Sequence, residues 1–462
     1  MQKSISKTVV INIIASFFLQ GIVFITTPIF TRLLGTEQYG YFSMFNTWVG
    51  LFTCIMGLGV TSTLASGMYQ FKDHYLEFKS NILLLGTLIS LFIFLSTFLV
   101  HKEITELMSV TDSLLFMILL TSFSQMVISY TQSGFIYEKK ALSNLIFSIL
   151  LSVSSVGISI ASIHLYTGED IFMGRVFGIT STYLVCALFM SISIYKQAPP
   201  RLKREHFLYG ITVGTPIVFH LLSHNILTQS DRVMMMKMNV SSSEIGIYSL
   251  FYMLSSSLSV ILNAMNTSWC PFYYDALENN DINRLKIHSK NYMELFTVLT
   301  VGFNLISREI AYIMADKEFW AGINIIPILV IAVYFTFMYQ FPANYEFFYK
   351  KTIIIAFGTL FAGVVNIILN WFLIPSYGIY GAAIATALSY LALFAMHYFV
   401  VNRIMDGEYY LSVCSFSPYL CTIGISIFCF YFLQKYVAVR WSIGFVIGLW
   451  ELFRMWKRQA IM

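Results

Sequence analysis

A few ionisable side chains sit inside otherwise apolar stretches of this sequence: Arg32, Arg175, Asp231, Arg232, Arg308, Glu309, Glu346, His220, His224 and His397. An ionisable group in hydrocarbon costs about 2.5–3.5 kcal/mol on insertion scales, so each is a functional candidate. Under the orientation argued below, the arginines fall toward the outer ends of their stretches. Guanidinium groups take phosphate oxygens through paired planar hydrogen bonds. Arg32, Arg232, Arg308 and Arg175 are therefore candidates for a cationic cavity lining that binds a phosphate-bearing substrate. The competing reading is that each snorkels to the outer headgroups. Asp231, Glu309 and Glu346 could hold a coupling proton or Na+, because a carboxyl in apolar surroundings binds its proton more tightly. In the plainer reading Asp231 and Glu309 neutralise nearby arginines. Asp231 and Arg232 point about 100° apart on a helix and need not pair.

His220 and His224 share a helix face, but the string HLLSH lacks the Glu of a zinc-protease helix. A structural pair inside a bundle is the simpler expectation, and no metal site is expected. Thr27-Pro28 and Thr215-Pro216 are places where a helix could bend. Tyr39, Tyr41, Trp269, Tyr273, Tyr274, Trp320 and Tyr377 fall near the ends of apolar runs, as an interfacial belt would; some could stack on sugar rings. No phosphate-cradling glycine loop and no nucleophile elbow occurs. ATP-driven transport by this chain alone, and catalysis, are not expected.

The elements that must position these residues follow from composition. Of 462 residues, 57% are hydrophobic and 11% charged, against roughly 45–50% and roughly 25% in soluble proteins. So few charges cannot cover a soluble surface, and the chain is read as an all-α integral membrane protein. The net charge of +5 is too small and dispersed for a nucleic-acid partner. Apolar runs lie at about 9–34, 41–66, 80–100, 114–136, 145–165, 173–194, 210–233, 246–270, 291–314, 324–346, 353–374, 380–401, 413–434 and 441–453. That is about 14 transmembrane helices at about 20 residues per crossing. A single-span receptor, a secreted domain and a membrane-tethered soluble enzyme are excluded. The first run is too long for a signal-peptide core and is expected to stay. The cysteines (54, 186, 270, 414, 421 and 429) lack metal or disulfide spacing and read as small buried hydrophobes. An even number of spans puts both termini on one side. Placing them in the cytoplasm leaves most of the Lys and Arg inside, including Lys3, Lys7, Lys350, Lys351, Arg403 and Arg458.

The polar segment 196–207, KQAPPRLKREHF, divides the chain after the sixth span. Gly40 and Ser43 match Gly246 and Ser249 at an offset of 206, while Gly174 and Tyr183-Leu184 match Gly381 and Tyr390-Leu391 at 207. Arg32 and Arg232 correspond if six residues are inserted. The expected organisation is an N-terminal six-helix lobe, 1–200, a C-terminal six-helix lobe, 201–403, and two additional helices with a cytoplasmic tail, 404–462. Six is even, so the repeat is parallel, with a pseudo-twofold along the membrane normal and a central cavity, a plan that transporters use. The last two helices are expected to pack on the rim.

The segment from Tyr349, YKKTIIIAFGTLFAGVVNIILNWFLIPSYGIYGAAIATALSY, resembles the multidrug/oligosaccharidyl-lipid/polysaccharide (MOP) exporter superfamily. Within it, the segment resembles the polysaccharide-transport branch, the bacterial flippases of lipid-linked O-antigen and capsule repeat units. Lys351-Thr352, Asn366, Asn370, Ile374-Pro375, Gly378, Gly381-Ala382-Ala383 and Ala385-Thr386 carry the resemblance, and TRLLGTEQYGYFS from Thr31 resembles the same family's first loop. The resemblance implies a MATE-like fold. It also implies a flippase carrying undecaprenyl-diphosphate-linked oligosaccharide across the bacterial cytoplasmic membrane by alternating access, with Arg32 and Arg232 on the diphosphate. It further implies no cofactor beyond a coupling ion, H+ or Na+. Its partners would be the lipid-linked substrate, membrane lipids and the polysaccharide polymerase and chain-length machinery. The alternatives are a cation-coupled drug extruder of the same superfamily and an oligosaccharide polymerase. The latter would be expected to show a large outer loop, whereas these connections are short.

Overall fold

The computed structural model describes the backbone of residues 2–166, 168–405 and 409–459. It describes the side chains of these from residue 21 onward, except Leu452, Met455, Arg458 and Gln459. Lys3, Lys7 and Arg458, used for the orientation, lie outside the described side chains. In hydrocarbon every backbone N–H and C=O must be satisfied within the segment, so apolar runs of this length become helices. The described residues contain no strand.

The helices are α1 (Gln2–Gly57), α2 (Val60–Gln70), α3 (Tyr75–Leu99), α4 (His101–Met108), α5 (Asp112–Tyr137), α6 (Ala141–Leu165), α7 (Phe172–Gln197), α8 (Arg204–Lys237), α9 (Ser242–Glu278), α10 (Ile282–Met314), α11 (Ile326–Phe348), α12 (Thr352–Ile404), α13 (Ser417–Phe432) and α14 (Val437–Gln459). Among the described residues, 10 helical stretches are long and apolar enough to cross a membrane. Two of them, of 50 and 53 residues, have length for two crossings each. They contain the glycines Gly35 (φ 65°) and Gly378 (φ 54°), which interrupt α1 and α12 between consecutive expected spans. Only glycine takes that backbone conformation without a steric penalty. With α10 and α14, whose charged residues lower their hydropathy, these account for the expected span pattern. The chain is a multi-pass membrane protein.

By internal contacts the chain forms two compact units, Met1–Asn225 and Ile226–Met462, dividing inside α8. In the first unit, Val60, Leu64, Phe78, Ile82, Met126 and Val127 form a buried core from α2, α3 and α5. Lys79 is buried beside it, with its ammonium on Glu138. Burial alone would raise the Glu138 carboxyl, but Lys140 at 2.6 Å and Lys79 hold it below the ordinary carboxylate range. The polar segment after α7 is tied to the start of α3. The Arg201 N–H donates to Asn81 Oδ1 (2.6 Å), Lys203 pairs with Glu77 (2.7 Å) and Asn81 Nδ2 meets His206 Nδ1 (2.8 Å).

The glycines matched between the two halves share a physical role within their own units. A Cβ on Gly174 of α7 would stand 2.8 Å from Ile163 Cα of α6, and one on Gly381 would stand 2.3 Å from the Leu373 carbonyl oxygen. Each begins the last helix of a half at a close backbone approach.

In the second unit α13 and α14 lean on α10. Asn304 donates to Ser426 (3.0 Å), Arg440 is buried against Glu309, and Arg454 reaches Glu294 at 3.4 Å. Trp269 and Tyr273 are not interfacial. Trp269 is stacked on Tyr292 (4.7 Å, 2°), and Tyr273 donates to the Phe341 carbonyl, because α9, α10 and α11 pack their aromatics together. Tyr39 is likewise buried, whereas Trp320 and Tyr377 are exposed. The cysteines are free thiols; Cys429 is buried as expected, but Cys414, in the turn before α13, and Cys421, in α13, are exposed.

Candidate functional site

Asp231, in the penultimate turn of α8, is fully buried and is the centre of a polar cluster in the second unit. One neighbour comes from the start of α9. Ser241 caps that helix by accepting from the Glu244 N–H (3.3 Å), and its hydroxyl lies 3.1 Å from the Glu244 carboxylate, to which it can donate. One turn later Tyr248 donates to Asp231 Oδ2 at 2.5 Å.

The other neighbours come from both arms of α12. Asn366 and Asn370 are four residues apart on one face of the first arm, and Asn370 Nδ2 donates to Asp231 Oδ1 (2.7 Å) and Asn366 Oδ1 (2.9 Å). After the Gly378 turn the second arm presents Thr386, whose hydroxyl donates to Asp231 Oδ2 at 2.7 Å. The small residues Gly381, Ala382, Ala383 and Ala385 around it are all buried, which lets this arm come close. Ser230 donates to Asn366 Oδ1 at 2.6 Å.

A buried carboxylate is tolerable when its oxygens are saturated by donors, and three donors do this for Asp231. Asn370 Oδ1 is left buried without a hydrogen-bond partner. With Asp231 and Thr386 it supplies the oxygen chemistry that a small hard cation takes, and the carboxylate alone suffices for a proton.

Arg232 makes no ion pair with Asp231, as the helix geometry allows. Its Nε donates to Ser249 (3.0 Å), its Nη1 to the Thr228 carbonyl (3.1 Å) and Gln229 (3.2 Å), and its plane lies 4.5 Å from the Tyr252 ring. Arg308 donates to Asn324 (2.9 Å) and lies over Phe430 (4.6 Å), sharing no partner with Arg232. In the first unit Arg175 is clasped by Phe30 (3.6 Å) and Phe42 (3.7 Å), and its Nε and Nη1 are buried without hydrogen-bond partners. Arg32 is exposed and donates to the Pro28 carbonyl at 3.1 Å. Glu309 is taken by Arg440. Glu346 is fully buried and bonded to His397 at 2.7 Å. His220 and His224 are exposed, because the face they share points out of the first unit's core.

Sequence reasoning marked Asp231 but missed Tyr248, Thr386 and Asn370 as its partners, with Asn366 behind Asn370. The one available signal was the Asn366/Asn370 spacing, a polar pair on a single face of an apolar run. Arg440 as partner of Glu309 had no signal, being 131 residues away.

The family described as "Polysaccharide biosynthesis protein" matches residues 5–275. A protein of the Lsg locus of Haemophilus influenzae is 22% identical over 362 residues, 76% of this chain and 86% of that protein. Among solved structures, the lipid II flippase MurJ in an inward closed conformation is similar with TM-score 0.73 and 16% identity, over 98% of this chain and 100% of that one. A multidrug resistance MATE family transporter of the MOP superfamily, inward-facing, gives TM-score 0.67 at 14% identity, over 84% and 95%. The fold is thus the all-α MOP fold.

Proposed function

The chain belongs to the polysaccharide biosynthesis protein family, and from that premise we propose that it is a flippase. Its substrate would be an undecaprenyl-diphosphate-linked oligosaccharide repeat unit, taken from the cytoplasmic leaflet and released in the outer one by alternating access. The product would feed O-antigen, capsule or exopolysaccharide synthesis. The family match carries this reading. The MurJ likeness supports it by spanning 98% of the chain, more than the 84% spanned by the multidrug transporter likeness. The protein would reside in a bacterial cytoplasmic membrane with both termini inside, acting with lipid-linked sugar, membrane lipids, a polymerase and chain-length machinery. The Asp231 cluster is the proposed seat of the coupling ion, H+ or Na+.

Arg32 and Arg232 are proposed to take phosphate oxygens during the cycle, with Arg175 and Arg308 as further cations of the lining. Each bidentate guanidinium–phosphate contact is charge-assisted and roughly twice as strong as a neutral hydrogen bond. Replacing both Arg32 and Arg232 by Gln should abolish polysaccharide export while the protein remains in the membrane at its normal level. Normal export in that double variant would remove both from the substrate path. The MATE likeness favours a second reading, a cation-coupled extruder of small molecules. Growth in the presence of cationic dyes separates the two: an extruder protects the cell when produced, and a dedicated flippase does not.

A further inference from the structure

Glu346 and His397 form a fully buried ionisable pair in the second unit, and the Asp231 cluster does not use them. Glu346 stands near the end of α11 and His397 near the end of the second arm of α12, with Nδ1 2.7 Å from Oε2 and neither side chain exposed. Two features distinguish the pair from a satisfied core contact. Glu346 Oε1 and His397 Nε2 are both buried without a hydrogen-bond partner. The imidazole tip lies against Gly358 of the first arm, where a Cβ would be 2.1 Å from Nε2, so the ring fits only because that residue is glycine.

Charge counting gives the consequence. With one exchangeable proton the pair is neutral, either as imidazolium and carboxylate or as imidazole and carboxylic acid. Removing that proton leaves a buried negative charge, and adding a second leaves a buried positive one. Either is expensive unless water or a counter-charge reaches the pair. The two unpartnered atoms are where water would bind. They sit at the junction of α11 with both α12 arms, so gaining or losing a proton must be accompanied by opening of that junction.

Among the described residues the ionisable surroundings offer little static compensation. Tyr339 of α11 lies 4.9 Å from the His397 ring. Tyr345 and Tyr349 continue α11, followed by exposed Lys350 and Lys351, and exposed Arg403 ends α12. The first α12 arm carries no ionisable residue before Tyr377 at its far end, the second arm adds Tyr380, Tyr390 and Tyr398, Tyr409 packs on Tyr345 and Tyr398, and α9, packed on α11, brings Tyr273, Tyr274 and Asp275. Thr386, on Asp231, and His397 are eleven residues apart on one α12 arm, about 16 Å along the helix. The pair and the Asp231 cluster therefore occupy opposite ends of the same arms.

We infer that Glu346 and His397 form a proton-binding site, separate from Asp231, whose loading and unloading opens and closes the junction of α11 with the two arms of α12. This deepens the ion-coupling part of the proposed function and rests on that reading for its role in transport. Its test reads proton-linked opening in the full-length protein without any substrate, so the two can fail separately. Deuterium uptake of peptides spanning 340–350 and 393–405 is followed from pH 5 to 8 in detergent micelles, corrected for the intrinsic pH dependence of exchange. The wild type should show a pH-dependent transition in these peptides. Glu346→Gln and His397→Gln should each lose it, Asp231→Asn should keep it, and Gly358→Ala, which crowds Nε2 without removing a titrating group, should shift its midpoint. Absence of a transition in the wild type, its persistence in both pair variants, or its loss in Asp231→Asn would overturn the inference. Helical circular dichroism identifies any variant that has failed to fold, and the wild-type, Gly358 and Asp231 arms decide the matter without it.

Discussion

Asp231→Asn should leave a folded protein that no longer transports. Three donors converge on Asp231, from Tyr248, Thr386 and Asn370. An asparagine oxygen can still accept from the two hydroxyls. Its new amide N–H₂ finds an acceptor if Asn370 turns its unpartnered Oδ1 toward residue 231. That turn also gives up the Asn370–Asn366 bond, so the hydrogen-bond cost is about 1–2 kcal/mol, while the negative charge that would hold a proton or cation is gone. Asp231→Leu differs in kind, since it leaves the Tyr248, Thr386 and Asn370 donors buried and unsatisfied at about 1–3 kcal/mol each. Surface polysaccharide, membrane yield and thermal unfolding in detergent distinguish the cases: the Asn variant should lose only the first, and the Leu variant all three. An Asn variant with full export would take the coupling role away from Asp231.

The largest stability effect is expected at Gly178. A Cβ there would lie 2.4 Å from Ser159 Cα and 2.5 Å from Ser159 N, and Gly174, one turn earlier, approaches Ile163 almost as closely. These are main-chain atoms of α6, which cannot rotate away as a side-chain tip can, so the two helices must separate. Overpacking costs typically about 1–3 kcal/mol and more where the backbone must move. Gly178→Ala should lower the unfolding temperature measurably, and Gly178→Leu should prevent accumulation in the membrane. Gly157 on α6 is the control, for a Cβ there meets nothing within 4 Å. Gly157→Ala should be neutral or stabilising by up to about 1 kcal/mol through helix propensity. A normal membrane level of Gly178→Leu would contradict the packing described.

The fold was legible because lipid solvent leaves so few options. Runs of about 20 apolar residues had to become helices, and even the two runs merged into α12 were separable at Gly378. The Gly174/Gly381 match was readable as repetition, although its cause, close backbone approach, needed coordinates. The site was legible only in part. Asp231 stood out because a carboxylate in an apolar run is rare, but its partners Tyr248 and Thr386 are among many hydroxyls in a chain with 29 tyrosines. Pairing across 17 and 155 residues depends on how α8, α9 and α12 pack. The same holds for Glu309, whose counter-charge Arg440 comes from the last helix, and for Trp269 and Tyr273. Their place near a span end suggested an interface, but the contacts of three helices put them inside.

The measurement that bears most directly on the flippase reading is the sidedness of undecaprenyl-diphosphate-linked oligosaccharide in cells with and without this protein. A sugar-modifying probe that cannot cross the membrane reads only the outer leaflet. The account predicts that without the protein the oligosaccharide stays on the cytoplasmic leaflet, unreactive, and becomes reactive when the wild-type chain is restored. Equal labelling in the two cell types would contradict it.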